Sequence, residues 1–253
     1  MTLATRLTVA IRSKATMAVA VLMAAASMAT APAPAQAGSI TYTTAKGATT
    51  TGGSVDAKAV FTLKTNEVDI TLTNLLWNPT DDAQMISALK FNVSGASGTN
   101  TASLTSSSGN TSTISSGGSY TSGVATNPLP AWNATNAGTS LELNALTGGK
   151  PKDLIIGPDS AGGFSKSGSY SNANSSIIVH DPVVLGSATF VIDIKGVTSD
   201  SQLGSVVFQF GTTSGSNQSD GVLSVPEPST MAMGLSAMAM VAGALVRRRR
   251  RSA

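Results

Sequence analysis

The sequence predicts an all-β domain, a single antiparallel β-sandwich over residues 38–224, and three observations carry that expectation. Apolar residues recur with a period of two in several short segments, as where Val68, Ile70 and Leu72 alternate with Asp69, Thr71 and Thr73. Outside the two hydrophobic ends of the chain, no segment sustains a helical period. Between the alternating segments lie clusters of Gly, Ser, Thr and Asn, the residues of turns and loops. Strand order is not written in these patterns, so a jelly-roll-like and an immunoglobulin-like sandwich both remain open.

In chain order, residues 38–44 (GSITYTT) read as a first edge strand. Residues 55–64 and 67–74 read as a hairpin, because Thr65-Asn66 is a two-residue connection in which Asn tolerates positive φ. Residues 77–82 (WNPTDD) form a turn. Its acidic pair, Asp81 and Asp82, lacks a calcium-loop spacing and is assigned to solvated turn residues. Residues 86–93 return as a strand, with Leu89, Phe91 and Val93 on one face. Residues 94–127 are so rich in Ser, Thr, Gly and Asn that a surface excursion with at most short irregular strands, or partial disorder, is expected.

Beyond a proline-punctuated connector at 127–132, residues 141–143 and 153–156 read as short strands and residues 176–179 (SIIV) as a buried one. His180 and Asp181 follow it. Neighbours on an extended strand point to opposite faces, so the single histidine is expected to be structural or merely exposed rather than a general base. The strongest strands come last. Ala188, Phe190, Ile192 and Ile194 alternate over residues 187–195, and Val206, Phe208 and Phe210 over residues 204–211. Residues 196–202 join them with room for one helical turn, and residues 214–221 read as a flexible stalk.

Both ends of the chain read as addresses. Residues 1–37 have the layout of a secretory signal peptide, with basic Arg6, Arg12 and Lys14, an apolar run over 15–31, and Ala35-Gln36-Ala37 as the cleavage site, so the mature chain starts at Gly38. Residues 225–253 contain Val225-Pro226-Glu227-Pro228-Ser229-Thr230, an uncharged run over 231–246, and a basic tail over 247–253 led by Arg247, Arg248, Arg249, Arg250 and Arg251. The prolines hold an extended backbone just ahead of the apolar run. At about 1.5 Å rise per residue that run makes a transmembrane helix of roughly 24 Å, short for a permanent anchor in a hydrocarbon core of ~30 Å. The arginines fix it with the tail cytoplasmic and the Pro-Glu-Pro peptide outside. An ordinary tail anchor is the alternative reading.

These residues resemble the PEP-CTERM sorting signal of Gram-negative bacteria, in which motif, short apolar helix and basic terminus occur in that order. The resemblance implies export through the Sec machinery, transient residence in the inner membrane, and recognition and cleavage near Pro226-Glu227-Pro228 by a membrane-embedded exosortase. Release or transfer to the cell surface or exopolysaccharide matrix would follow. The strand pattern ending in residues 206–212 (VVFQFGT) also looks like the domains often attached to such tails.

Setting the two ends aside changes what composition means. The whole chain has a formal charge of +3, yet residues 38–224 carry eight lysines against twelve acidic residues, which leaves −4. A mildly acidic domain has no basic face with which to release counterions from phosphates, so no nucleic acid partner is expected. The absence of cysteine rules out disulfides, thiol catalysis and thiolate metal sites. No cofactor or metal site is expected, and no catalytic residue is assigned.

Three functions stay open. The leading one is a structural or adhesive protein of the surface or matrix. In the second, a carbohydrate-binding module, Trp77, Trp132, Tyr120 or Tyr170 stack on sugar rings, against core packing as the ordinary use of such rings. The third is a glycoside hydrolase using two of Asp69, Asp81, Asp82, Glu142 and Asp193. The N-x-S/T triplets at Asn92, Asn110, Asn133, Asn174 and Asn217 and the hydroxyl-rich loops make glycosylation a further expectation, drawn from the extracellular setting.

Overall fold

The computed structural model describes residues 39–95, 102–137, 140–146, 148–171, 173 and 175–224. Strands dominate. The first half holds β1 (Ile40–Thr44), β2 (Thr49–Thr50), β3 (Gly53–Ser54), β4 (Ala57–Lys64), β5 (Glu67–Asn74), β6 (Ile86–Val93), β7 (Ser103–Ser112), β8 (Ser119–Thr121) and β9 (Val124–Thr126). The second half holds β10 (Asn133–Ala137), β11 (Ser140–Asn144), β12 (Ile155–Ile156), β13 (Ser167–Ser169), β14 (Val183–Asp193), β15 (Leu203–Phe210) and β16 (Gln218–Leu223). A 3₁₀ turn covers Asp82–Gln84 and one short helix, α1, covers Ser175–Ile178.

The all-β expectation holds, but the sandwich gives way to a closed, barrel-like sheet. Strands β6, β15, β16, β1, β4, β5 and β14 pair in that order. The two-residue β12 then closes the ring, parallel to β14 (Ile155 opposite Val184) and antiparallel to β6 (Ile155 opposite Ile86). Eight strands thus form one circuit with no free edge. From β6 the sheet continues outward to β11 and β10, and from β14 to β7 and β9.

Inside the ring the period-two residues meet as expected. Phe61, Val68, Ile70, Leu72, Leu89, Phe91, Phe190, Ile192, Phe208 and Phe210 are all buried. Phe61 packs edge-on against Phe91 at 5.3 Å and against Tyr42 at 6.1 Å, geometries that ring quadrupoles favour. The β4–β5 hairpin turns where expected, with Asn66 at φ 60.

Five expectations are corrected. β1 is no edge strand but lies between β16 and β4, because closure removes that edge. Within 94–127, β7 is a ten-residue strand paired along β14, for a strand in a ladder draws on backbone bonds as well as apolar side chains. Buried Ser107 donates to the Leu129 carbonyl and accepts from the Leu129 N–H, which satisfies its hydroxyl without water. The SIIV segment starts a helix, α1, rather than a strand. The supposed stalk, 214–221, runs into β16, a full member of the ring, and 196–202 forms turns without a helix.

Two buried polar side chains hold the irregular parts to the ring. Asn74, at the end of β5, donates from Nδ2 to the Gln84 and Ile155 carbonyls at 2.9 Å each and accepts at Oδ1 from the Leu76 N–H at 3.1 Å. It thereby ties the 3₁₀ turn, the closing strand and the loop after β5 to one point. Asp153 sits in the left-handed region at φ 55 just before β12. Its carboxylate accepts from Ala131 N–H at 3.1 Å, and its carbonyl accepts from Trp132 Nε1 at 2.8 Å. Burial pushes the Asp153 carboxyl above the usual carboxylate range, with the Ala131 bond and Lys152 only partly opposing it.

Two outcomes are expected in urea unfolding. Asn74→Ala strands two buried carbonyls and the half-buried Leu76 N–H and lowers stability by about 3 kcal/mol or more. For Asp153 the folded pKa lies above the unfolded one, so its contribution is most favourable below the unfolded value near ~3.9 and is lost as pH rises through the folded one. Asp153→Asn keeps an acceptor for Ala131 and suits positive φ. Its unfolding midpoint exceeds the parent's at pH 7, and the gain shrinks toward pH 4.

Candidate functional site

Of the four rings proposed for sugar stacking, burial takes three. Trp132 packs tilted against Phe190 at 4.7 Å, with its N–H spent on the Asp153 carbonyl. Tyr120 and Tyr170 stack on each other at 5.3 Å, and the Tyr170 hydroxyl donates to the Gly157 carbonyl at 2.9 Å. Burial holds both phenols well above their ordinary pKa. Rings so enclosed have no face left for a saccharide. Trp77 is the exception, 59% exposed.

Trp77 is displayed by a loop that is itself pinned. Leu75 N–H donates to the Asp56 carbonyl at 2.8 Å, Leu76 N–H to Asn74 Oδ1, and Asn78 N–H to the Pro158 carbonyl at 2.6 Å. Asn78, at φ 50, also accepts at Oδ1 from Ser171 N–H at 2.7 Å. Gly157 passes so close beneath that a methyl group there would run into the Leu76 carbonyl. Backbone bonds on both sides of the indole therefore fix its position.

Beside the ring lies a groove of about 560 Å³. Thr43, Thr44 and the 45–48 loop form one wall, Val55 and Asp56 another, and Leu75, Leu76, Trp77 and Val222 complete it. Leu75 and Val222 are exposed apolar residues, and Lys46 and Asp56 bring opposite charges to the rim. Thr44 donates to Asp56 Oδ1 at 3.5 Å and accepts from Ala57 N–H at 3.1 Å, which joins the end of β1 to the start of β4 under the groove. The sequence offered one sign of this site, the consecutive Leu75-Leu76-Trp77, more apolar than a turn requires. Val222 carries no such sign, because only the β1–β16 register sets it opposite Thr43.

The remaining candidates serve the fold. Asp81 accepts from Ala83 N–H at 2.9 Å as the cap of the 3₁₀ turn, while Gln84 accepts from Asp81 N–H at 3.2 Å in return. Asp82 faces His180 Nε2 at 3.8 Å and accepts from Thr212 at 3.2 Å. His180, buried in the turn after α1, also sets Nδ1 2.9 Å from the Pro151 carbonyl. Asp181 does not orient it but accepts from Ile114 N–H at 3.0 and 3.2 Å.

Of the hydrolase carboxylates, Asp69 and Asp193 share the outer face of the β5–β14 ladder, where Asp193 lies opposite Glu67, while Glu142 is on β11 and Asp81 and Asp82 belong to the 3₁₀ turn and its cap. Asp69 and Glu67 share Lys64, at 2.6 and 2.7 Å, and the hydrogen bonds that Lys64 donates, to Asp69 first and Glu67 second, hold that ammonium above the usual lysine range. Glu142 lies 3.8 Å from Lys90, and Asp193 is exposed at the far end of β14. Among the described residues, no group of three or more His, Asp or Glu side chains is gathered for a metal ion.

Ala35, Ala37 and Gly38 lie outside the described residues, as do Val225 to Pro228, Arg247 to Arg251 and the helix expected over 231–246. Among the described residues, no helix is long and apolar enough to cross a membrane. The structure does fix where the chain meets these segments. β16 runs antiparallel to β1, and the Ser224 N–H donates to the Thr41 carbonyl at 2.8 Å.

Comparison with known proteins adds the sorting segment's identity. The family model of the PEP-CTERM protein-sorting motif matches residues 224–251, starting where β16 stops. No curated protein and no solved structure matches the chain. With that motif joined directly to its last strand, the chain is a PEP-CTERM sorting domain-containing protein.

Proposed function

We propose that this is an exported structural or adhesive protein of the cell surface or exopolysaccharide matrix, freed of residues 1–37 by signal cleavage and cut by exosortase near Pro226-Glu227-Pro228. One observation carries the reading. Among the described residues, the barrel's last backbone bond, from Ser224 to Thr41, precedes Val225 by one residue, so processing at the motif spares every described strand. A signal cut before Gly38 likewise spares β1, which starts at Ile40. The product is a closed ring trimmed at both ends beside a single strand pair.

The outer surface suits a hydrated matrix. Ser108, Thr189 and Thr71 lie in register across β7, β14 and β5, with Ser187 opposite Thr73 in the next row. Their hydroxyls face outward between strands spaced ~4.8 Å apart, in a polar array that exchanges hydrogen bonds with water or polysaccharide alike. A second reading, the carbohydrate-binding module, is favoured by the exposure of Trp77.

Terminal-peptide mass analysis of protein secreted by the native host tests the proposal. The expected material begins at Gly38, ends within residues 225–228 and lacks Arg247 to Arg251. A Pro226→Ala, Pro228→Ala double variant is expected to stay in the inner membrane at full length. Unprocessed parent protein embedded there, in cells with an active exosortase, contradicts the reading.

A further inference from the structure

We propose that the Trp77 groove is a saccharide site, in which a neutral pyranose of the matrix polysaccharide lies flat on the indole. The proposal rests on the matrix reading above and names the point at which the barrel would hold its surroundings. The two tryptophans have opposite environments, Trp132 being 4% exposed and Trp77 59%. Exposing an indole forgoes the burial energy that a large ring supplies in a core. Here that exposure is built in, because the backbone at Leu75, Leu76 and Asn78 is bonded on both sides of Trp77. A ring held in place before binding spares the ligand the cost of ordering it.

The chemistry of the walls selects the ligand. The indole face, Leu75 and Val222 offer an apolar platform, and the C–H groups on one side of a pyranose carry the partial positive charge that a π-face attracts. Polar groups stand at the edge of that platform, with the Asp56 carboxylate as acceptor, the Lys46 ammonium as donor and the Thr43 hydroxyl as either. Sugar hydroxyls need both kinds of partner. With one charge of each sign, the rim gives no net pull on a polyanion or a polycation. About 560 Å³ falls within the range of small-ligand clefts.

β16, antiparallel to β1, brings Val222 into the groove two residues before Ser224, so the groove lies beside the point where the matched sorting motif begins.

The test uses protein recovered from the host, titrated with the host's isolated exopolysaccharide and, separately, with cellohexaose and laminarihexaose, while tryptophan emission and affinity are read. The expected result is a blue shift on binding to at least one of these probes and a loss of about 30-fold or more in affinity for Trp77→Ala. Trp77→Phe should retain part of the affinity, and Lys46→Ala should weaken it several-fold. Near-UV circular dichroism from the buried rings verifies folding. If Trp77→Ala does not fold, N-bromosuccinimide oxidation of the exposed indole in the parent replaces it and is expected to abolish binding.

Binding unchanged within twofold by loss or oxidation of Trp77, or no binding to any probe, overturns the groove assignment. So does a Trp77-dependent dimer in sedimentation with no saccharide response, which would give the groove to a second copy. Fractionation separates this from the matrix reading. Protein found in the matrix without a Trp77-dependent shift removes the groove alone, whereas Trp77-dependent binding by protein absent from the matrix removes the location alone.

Discussion

The closure of the ring hangs on the side chain of Asn74. A closing strand of two residues, Ile155–Ile156, has few ladder bonds of its own, and one of its carbonyls is met by the Asn74 side chain. The same amide holds the Gln84 carbonyl, and its oxygen holds Leu76 N–H. An asparagine suits this place because it supplies two donors and an acceptor within one planar group and brings no charge into a site that is 1% exposed. An aspartate would present only acceptors to two carbonyls. The hub thus couples three features distant in sequence: the seam of the barrel, the capped turn at Asp82–Gln84, and the loop that displays Trp77.

That coupling explains how a domain without cysteine keeps an exposed indole in a fixed place. Loops lacking a disulfide or a metal are ordinarily set by packing, and this chain has few aromatic residues with which to pack them. Hydrogen bonds substitute. Gln84 accepts from Thr80 N–H at 2.7 Å and donates to the Ser54 carbonyl at 3.1 Å, so the 3₁₀ turn is laced to the segment entering β4. The rings are spent mostly inside, where Phe61, Phe91, Phe208 and Phe210 fill the barrel. Each buried amide must find all its partners, since an unmet polar group in the interior costs as much as several of these bonds return.

The sequence made legible the strands that obey one rule, apolar in and polar out. β4, β5, β14 and β15 follow it and were placed within a few residues, together with the Asn66 turn. Elements that obey other rules stayed hidden. β7 is built from Ser, Thr, Gly and Asn with Leu104, so its strand character comes from the ladder along β14 and from hydroxyls such as Ser107 that find partners only in the folded chain. The Ile155–Ile156 pair looked like a short strand, but its role as the seam depends on pairing with two strands remote in sequence. In the same way, Trp77 could be singled out by residue type and by the apolar Leu75-Leu76 beside it, yet neither says that its ring is exposed where that of Trp132 is buried. Burial did that, and burial follows from topology.

Topology also sets the relation between folding and sorting. β16 lies between β15 and β1, so the ring is complete only when the last strand before the sorting motif is in place. A flexible stalk would have let the domain fold independently of where its tail was held. Instead residue 223 is bonded within the barrel and the matched motif begins at residue 224. At no more than ~3.6 Å per residue, Pro226 lies within about 7 Å of Ser224 along the chain. A processing enzyme acting at Pro226-Glu227-Pro228 must work against the wall of the folded barrel or reach the motif before β16 has paired. Either way, the pairing of β16 with β1 stands between the sorting signal and the finished domain, and the short reach makes access to the peptide depend on that strand pair.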